Sequence, residues 1–357
     1  GDVSGSYTYF AEGDVLLAKI TPCFENGKLG IASGLKNGIG FGSSEFIVLR
    51  PTNELDPEYL FYFLSQDSFR DAGARVMSGA VGHKRLPKEF IEKYPIPFPP
   101  LSEQKRIVAI LDETFAGIEK AVANTEKNLA NACELFESYK ESIFSWQSRG
   151  WYKKSLNEIG RIKTGSTPKT SDKENYGNFV PFIKPGDFKI DGTLNYNNQA
   201  LSKQGMKKAR MVKADSVLMV CIGATIGKTA FATKDVVTNQ QINSLTPFDN
   251  YSCKFIYYQM LTKTFRQSIM TEAGQMTLPI INKTKWSKLE LKIPPRKEIQ
   301  EQIVSQLDDL SFEIRRLESI YQQKLSALAE LKQSLLQKAF SGELTANANN
   351  KRKEAAA

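Results

Sequence analysis

IPFPPLSEQKRIVAILDETFAGIEKAVANTEKNLANACELFESYKESIFS, residues 96–145, and IPPRKEIQEQIVSQLDDLSFEIRRLESIYQQKLSALAELKQSLLQKAF, residues 293–340, are one block written twice, about 196 residues apart. Each copy is a proline-rich exit from a globular stretch followed by a heptad-patterned helix. The repeat is far longer than the ~20–50 residues of a solenoid unit, so it marks a duplicated domain-plus-helix module. In the first copy Val108, Leu111, Phe115, Ile118, Val122, Thr125, Leu129, Ala132, Phe136, Tyr139 and Ile143 alternate by three and four. In the second, Ile303, Leu307, Leu310, Ile314, Leu317, Tyr321, Lys324, Leu328, Leu331 and Leu335 do the same. A period of 3.5 is a coiled-coil seam rather than a 3.6-period helix lying on a core. About forty helical residues reach ~60 Å, and an exposed helix of that length needs a partner. The order domain–helix–domain–helix predicts an antiparallel pair, with polar Thr125 and Lys324 in the seam helping to fix register. The competing expectation, each helix packed on its own domain, asks for a wider stripe than two residues per heptad.

The globular stretches overlay as well. GDVLLAKI (13–20) matches ADSVLMVCIG (214–223), both buried-strand patterns, and NGKLGIA (26–32) matches TIGKTAF (225–231), both Gly-Lys turns into a strand. FGSSEFIVLRP (41–51) matches VTNQQINSLTP (237–247). PEYLFYFLSQDSFRD (57–71) matches CKFIYYQMLTKTFRQ (253–267), each expected as one short amphipathic helix, and the loops SGAVGHKRLP (78–87) and AGQMTLPIIN (273–282) follow. Strand cores, turn residues and few helices predict an α+β class: two globular α/β-mixed domains joined by long antiparallel helices with pseudo-twofold symmetry. The expected division is a first domain over 1–100, its helix over 101–148, a second domain over 151–296, its helix over 297–342, and a polar tail over 343–357. The end of that tail, TANANNKRKEAAA (345–357), is expected to be disordered. The second block runs about 60 residues from Trp151 to ADSVL, whereas the first reaches GDVLL after 12. The chain is therefore expected to lack some 45 residues at the front of its first domain. A gene product whose first module starts normally at Gly1 would refute that.

Charge points to a partner class. The net charge is +9, but residues 151–295 alone carry +12 and residues 1–100 carry −2. A basic domain on near-neutral supports is the footprint of a polyanion binder, nucleic acid above all. The apolar fraction of 41% is ordinary, no apolar run reaches the ~18–20 residues of a membrane span, and no signal peptide is expected. Four scattered cysteines (Cys23, Cys133, Cys221, Cys253) fit reduced, buried thiols in a cytoplasmic protein. The one histidine, His83, argues against histidine metal sites and is a thin start for a catalytic triad.

Catalytic motifs fail on inspection. VLMVCIGATIGKT (217–229) resembles a phosphate-binding loop, but Gly223 and Gly227 enclose three residues where four are needed, and a strand pattern follows where a helix is required. PFPP (97–100) and KIPP (292–295) close domains and have no glycine-rich methyl-donor loop beside them, and no metal-nuclease carboxylate set stands out. No metal site is expected. A binding role is left. KTGSTPKTSDKENYGN (163–178) offers Lys163, Thr164, Ser166, Thr167 and Lys169 to phosphates and base edges. KQGMKKARMVK (203–213) clusters Lys203, Lys207, Lys208, Arg210 and Lys213. Asn239/Gln240 and Ser43/Ser44 fall at equivalent points of the overlay; amides can pair with adenine, and all four residues could equally cap turns. Lys184, Lys228 and Gln275 in the second block, and Lys19, Lys28, His83, Lys84 and Arg85 in the first, complete the candidate DNA-binding set. Connecting loops and solvated faces are the bland readings of the same residues.

Together these segments resemble the specificity subunit of type I restriction–modification systems. The residues that carry the likeness are PIPFPPLSEQKRIVAILD (95–112), LKIPPRKEIQEQIVSQLD (291–308), Trp151 with GRIKTGSTPKT (160–170), VLMVCIGATIGKTAF, TNQQINSLTP and LLQKAFSGELT (335–345). The likeness covers essentially the whole chain except the absent front. It implies a non-catalytic subunit whose two target recognition domains each read one half of a split double-stranded DNA sequence. It implies helices that space the readers and dock two methyltransferase (modification) subunits, joined by restriction/translocase subunits. S-adenosylmethionine, ATP and magnesium would then belong to those partners, with none bound by this chain. Two rivals remain at this level: a stand-alone DNA-bridging or structural protein, and an enzyme with an unrecognised site.

Overall fold

The heptad stretches form two long helices, α4 (Leu101–Ser145) and α10 (Lys297–Phe340). The computed structural model describes residues 7–145, 150–274 and 278–346. It falls into two compact units that divide both helices: residues 1–128 with 319–357, and residues 129–318.

In the first unit, β2 (Val15–Ala18) lies between β3 (Leu29–Ile31) and β5 (Phe46–Leu49), all antiparallel. β1 (Thr8–Ala11) pairs with β4 (Ile39–Gly42). Helices α1 (Pro57–Leu64), α2 (Asp67–Val76) and α3 (Lys88–Lys93) follow. Val15, Leu17, Phe24, Phe63, Phe69 and Leu86 form the core against the sheet.

The second unit repeats this plan and adds to it. Its elements are β6 (Tyr152–Ser155), α5 (Leu156–Ile159), β7 (Gly160–Thr164), β8 (Tyr176–Ile183), β9 (Ala200–Leu201), α6 (Lys203–Lys207), β10 (Met211–Val212), β11 (Ser216–Val220), β12 (Thr229–Ala232), β13 (Val236–Thr238), β14 (Ile242–Pro247), α7 (Cys253–Met260), α8 (Lys263–Ala273), α9 (Lys283–Ser287) and β15 (Glu290–Ile293). β11 sits between β12 and β14 as β2 does between β3 and β5. The turns into the two central strands match in detail. Gly13 (φ 82°) and Asp215 (φ 55°) both take the left-handed conformation, and their N–H groups donate to Ala32 and Ala232 carbonyls at 2.8 Å each. β11 is buried on both faces, which is why its sequence is a continuous apolar run without alternation. The additions are β7 on the free side of β14, β8 and β9 on the free side of β13, and the pair β6–β15. Among the described residues of the first unit, β4 and β5 have no strand on the corresponding sides.

Several expectations need correction. Each stretch expected as one helix is two, α1 and α2 or α7 and α8. Thr262 breaks the second run, because it leaves the helical region (ψ 149°) so that its hydroxyl can accept from the Phe265 N–H. The helices do run antiparallel within each unit, yet they also pack on the domains. Tyr59 and Phe63 meet Phe340 edge-on at 5.0 and 5.2 Å in the first unit; Phe255 meets Phe144 at 5.3 Å in the second. The buried stripe is therefore wider than the expected seam and rotated from it. Val108, Leu111, Phe115, Ile118, Leu307 and Ile314 are buried, and Val122, Leu129, Phe136, Ile303, Leu310, Leu328 and Leu335 are half-buried. Leu317 and Leu331 are 37% and 46% exposed and Tyr139 is 37% exposed. Val304, Leu336 and Lys140 lie on the buried side instead. The Lys140 ammonium pairs with Glu137 at 2.7 Å and lies 5.3 Å from the Phe136 ring centre. Neither expected register residue bridges the pair: Lys324 is exposed, and buried Thr125 donates to the Ala121 carbonyl of its own helix. Cys133 is exposed rather than buried, its thiol donating to Glu318 at 3.1 Å. At the tail, Leu344 packs on the helix core and Thr345 is buried; residues beyond 346 lie outside the described ones.

Large-to-small changes separate the buried stripe from the sequence heptad. Leu111→Ala should cost about 2–5 kcal/mol in denaturant unfolding, and Leu331→Ala less than about 1 kcal/mol. Equal losses would restore the simple seam.

Candidate nucleic-acid interface

The turn-rich chain between β7 and β8 cannot form either element, being broken by Gly165, Pro168 and a run of serines and threonines. It folds back over the end of β13 and onto residues 208–210. Ser166 N–H donates to the Thr238 carbonyl at 2.9 Å, and Arg210 N–H donates to the Ser166 hydroxyl at 3.2 Å. The Arg210 guanidinium reaches the Thr164 carbonyl (3.1 Å) and the Lys163 ammonium reaches the Met211 carbonyl (2.7 Å). Thr164 donates to the Asn243 side-chain oxygen at 2.7 Å, and Thr167 to Gln240 Oε1 at 2.5 Å. Gly165 permits the approach: a Cβ there would stand 2.1 Å from the Asn239 carbonyl oxygen. Two buried polar atoms at this junction, Thr238 Oγ1 and Asn243 Nδ2, have no hydrogen-bond partner among the described residues.

Lys163, Thr164, Ser166, Thr167, Lys169, Arg210, Asn239 and Gln240 are thus brought together, with Lys184 next to Asn239 because the Asn239 N–H donates to the Ile183 carbonyl at 3.1 Å. Lys169, Lys184 and Lys207 are exposed, and the Lys184 ammonium stands 5.5 Å from the Phe182 ring centre. Gln240 is exposed and its side-chain oxygen accepts from Thr167; a glutamine amide is a group that can read a base edge. Asn239 is 8% exposed and is a turn former: its side-chain oxygen accepts from the Gln241 N–H. Ser43 does the same for Glu45 N–H in the first unit, and Ser44 is exposed beside it.

The dense lysine patch expected at 203–213 is not one patch of available cations. Lys208 is tied to Asp172 and Asn175, each at 3.0 Å. Lys213 pairs with Asp235 at 2.8 Å. Lys228 donates to the Phe188 carbonyl. In the first unit Arg85 grips Glu45 at 2.8 and 3.0 Å; Lys19 is half-buried, and Lys28, His83 and Lys84 are exposed. Gln275 lies outside the described residues. The Lys208 ammonium holds the Asp172 carboxyl below the usual carboxylate range, and Lys213 does the same for Asp235. A carboxyl so depressed keeps its tie above its ordinary value of 3.8 and loses it as the pH falls through the lowered one. Both ties are therefore in place at neutral pH. Sequence reading missed Gly165, Gln241 and Asn243, whose part comes from tertiary contact; the amide-rich TNQQIN run was the one available signal. The glycine pair Gly223/Gly227 lies in a turn between antiparallel β11 and β12, with no helix beginning over it. Among the described residues no helix is long and apolar enough to cross a membrane.

The sequence model described as the type I restriction modification DNA specificity domain matches residues 4–126 and 148–324. The chain is 50% identical over 146 residues to the type I restriction enzyme EcoEI specificity subunit of Escherichia coli, covering 41% of this chain and 24% of that protein. It is 35% identical over 206 residues to the HindI specificity subunit of Haemophilus influenzae, covering 55% and 42%. The chain thus spans less than half the length of these curated relatives. Its fold matches a solved chain from work on complex assembly and conformational transition of the type I R-M system, with a TM-score of 0.81 at 23% identity over 96% of this chain and 85% of that one.

If this surface contacts a polyanion, Lys207→Ala should lower the slope of log affinity against log salt by about 0.9, whereas Lys213→Ala, already neutralised by Asp235, should change it less. An unaltered slope for Lys207→Ala would remove α6 from the contact.

Proposed function

Because the chain belongs to the type I restriction modification DNA specificity family, we propose that it is the non-catalytic, sequence-reading subunit of a type I restriction–modification complex. One observation carries the reading: a like three-stranded core, packed against the start of the helix that follows it and the end of the other helix, occurs in both units. Duplicate readers suit a bipartite double-stranded DNA target, because engagement of the second half-site is intramolecular once the first is bound. The loop cluster of residues 163–169, 184, 207–210 and 239–240 is the candidate contact of the second reader, and residues 43–44 with 83–85 are its counterpart in the first. The helices space the readers and present duplicated surfaces to two methyltransferase subunits, to which restriction/translocase subunits add. S-adenosylmethionine, ATP and magnesium are assigned to those partners, and the complex to the cytoplasm. A stand-alone DNA-bridging protein is the rival reading, and it predicts binding without sequence preference.

Co-expression with methyltransferase subunits should yield methylation at a split sequence, mapped genome-wide. Inserting one heptad into both helices lengthens each by ~10.5 Å, so the preferred spacer should grow by about three base pairs at ~3.4 Å each. Methylation at an unchanged spacing would sink the ruler, and random binding without methylation would favour the bridging protein.

A further inference from the structure

The duplicated helix start contains a duplicated anchor. In the first unit Gln104, 0% exposed, sits in the opening turn of α4. Its Oε1 accepts from the Asp56 N–H at 2.9 Å, and its Nε2 donates to the Glu54 and Pro99 carbonyls at 2.9 and 2.8 Å. Asp56 is the residue that caps α1. Two helical turns further along, Asp112 accepts from the Tyr62 hydroxyl of α1. The second unit repeats these contacts, except the one to Pro99, with the numbering raised by 196. Gln300, 1% exposed, accepts from the N–H of Ser252, the cap of α7, at 2.9 Å and donates to the Asn250 carbonyl at 3.3 Å. Asp308 accepts from the Tyr258 hydroxyl at 2.6 Å and pairs with Lys254 at 2.6 Å.

A fully buried amide is an expensive way to fill space, since an apolar side chain of similar volume avoids its desolvation. What the amide adds is direction: Gln104 bonds to Asp56 and Glu54, and Gln300 to Ser252 and Asn250, in the loop that starts α1 or α7, and Gln104 also holds the Pro99 carbonyl at the start of its own helix. The aspartate then fixes a second point on the same helix, eight residues or ~12 Å along its axis. A rod held at two such points cannot pivot on the domain.

Building on the function proposed above, we propose that Gln104 with the Tyr62–Asp112 pair, and Gln300 with the Tyr258–Asp308 pair, are positioning residues. They set the angle of each recognition domain on its helix, and through it the spacer length that the protein accepts between half-sites. One extra base pair moves the second half-site by ~3.4 Å and turns it by about 35°, so selection between neighbouring spacers requires a stiff joint. Helix length sets the coarse distance and the anchors hold it.

The test uses the full chain assembled with its methyltransferase subunits. Tyr62→Phe/Tyr258→Phe removes two hydroxyls only; Gln104→Met/Gln300→Met keeps side-chain volume. Each assembly is competed against duplexes that hold the mapped half-sites with the spacer native, shortened or lengthened by one base pair. Discrimination between spacers should fall about tenfold or more, while base preferences inside each half-site stay those of the parent. Folded variants that keep the parent's spacer discrimination overturn the inference. Should the glutamine variants fail to fold, the tyrosine pair decides alone. A parent with no spacer preference overturns the functional reading itself, and this inference with it.

Discussion

Everything in this protein depends on covering two long apolar stripes. Helices of 45 and 44 residues draw little net stability from their own backbone bonds in water, and need tertiary burial of one face. Each unit answers this with one shared core. Tyr59 of the first domain, Ile107, Leu111 and Phe115 of α4, and Leu336 and Ala339 of α10 pack as a single cluster. In the second, Phe255 packs with Phe144 of α4 and with Val304 and Leu307 of α10. The domain, the start of the helix that follows it and the end of the other helix are thus one body. In the first unit this joins residues more than two hundred positions apart, a contact of high order that local helix formation alone cannot produce.

The electrostatics obey a second economy. The excess positive charge of residues 151–295 is real, but a good part of it is spent inside the fold. Lys208 and Lys213 neutralise carboxylates, while Lys163, Arg210 and Lys228 donate to backbone carbonyl oxygens. Cations used this way shape the loops rather than face a ligand. Lys169, Lys184 and Lys207, which have no ion pair among the described residues, are exposed, where a polyanion can reach them. Counting charges located the domain; only their partners separate structural from available ones.

Much of the plan was legible in the chain. The 196-residue interval paired strand with strand because each central strand is a short run of buried apolar residues flanked by left-handed turns, Gly13 or Asp215 on one side and a Gly-Lys turn on the other. Helix existence was legible from heptads. Helix facing was not. Periodicity ranks Leu317 and Leu331 with Leu307 and Ile314, since each falls on the same pattern; exposure depends on which neighbour a turn of helix meets, and domain packing displaced the stripe towards Val304 and Leu336. The glutamine and aspartate of the two exits stood in plain view as a repeated motif, yet their partners lie about fifty residues earlier, beyond any local pattern.

What the sequence by itself determined is the duplication, the correspondence of segments between its two copies, the long antiparallel helices and the basic second domain. These are properties of spacing and composition, which the backbone periods of 2 and 3.5 convert directly into structure. What only the tertiary structure decided is which side chains act together: the loop of residues 163–169 lying on residues 208–210 and 239–243, the cations withdrawn into internal pairs, and the buried amides that lock each helix to its domain. Those depend on distances between residues remote in the chain, and such distances are set by how the layers pack, not by any run of letters.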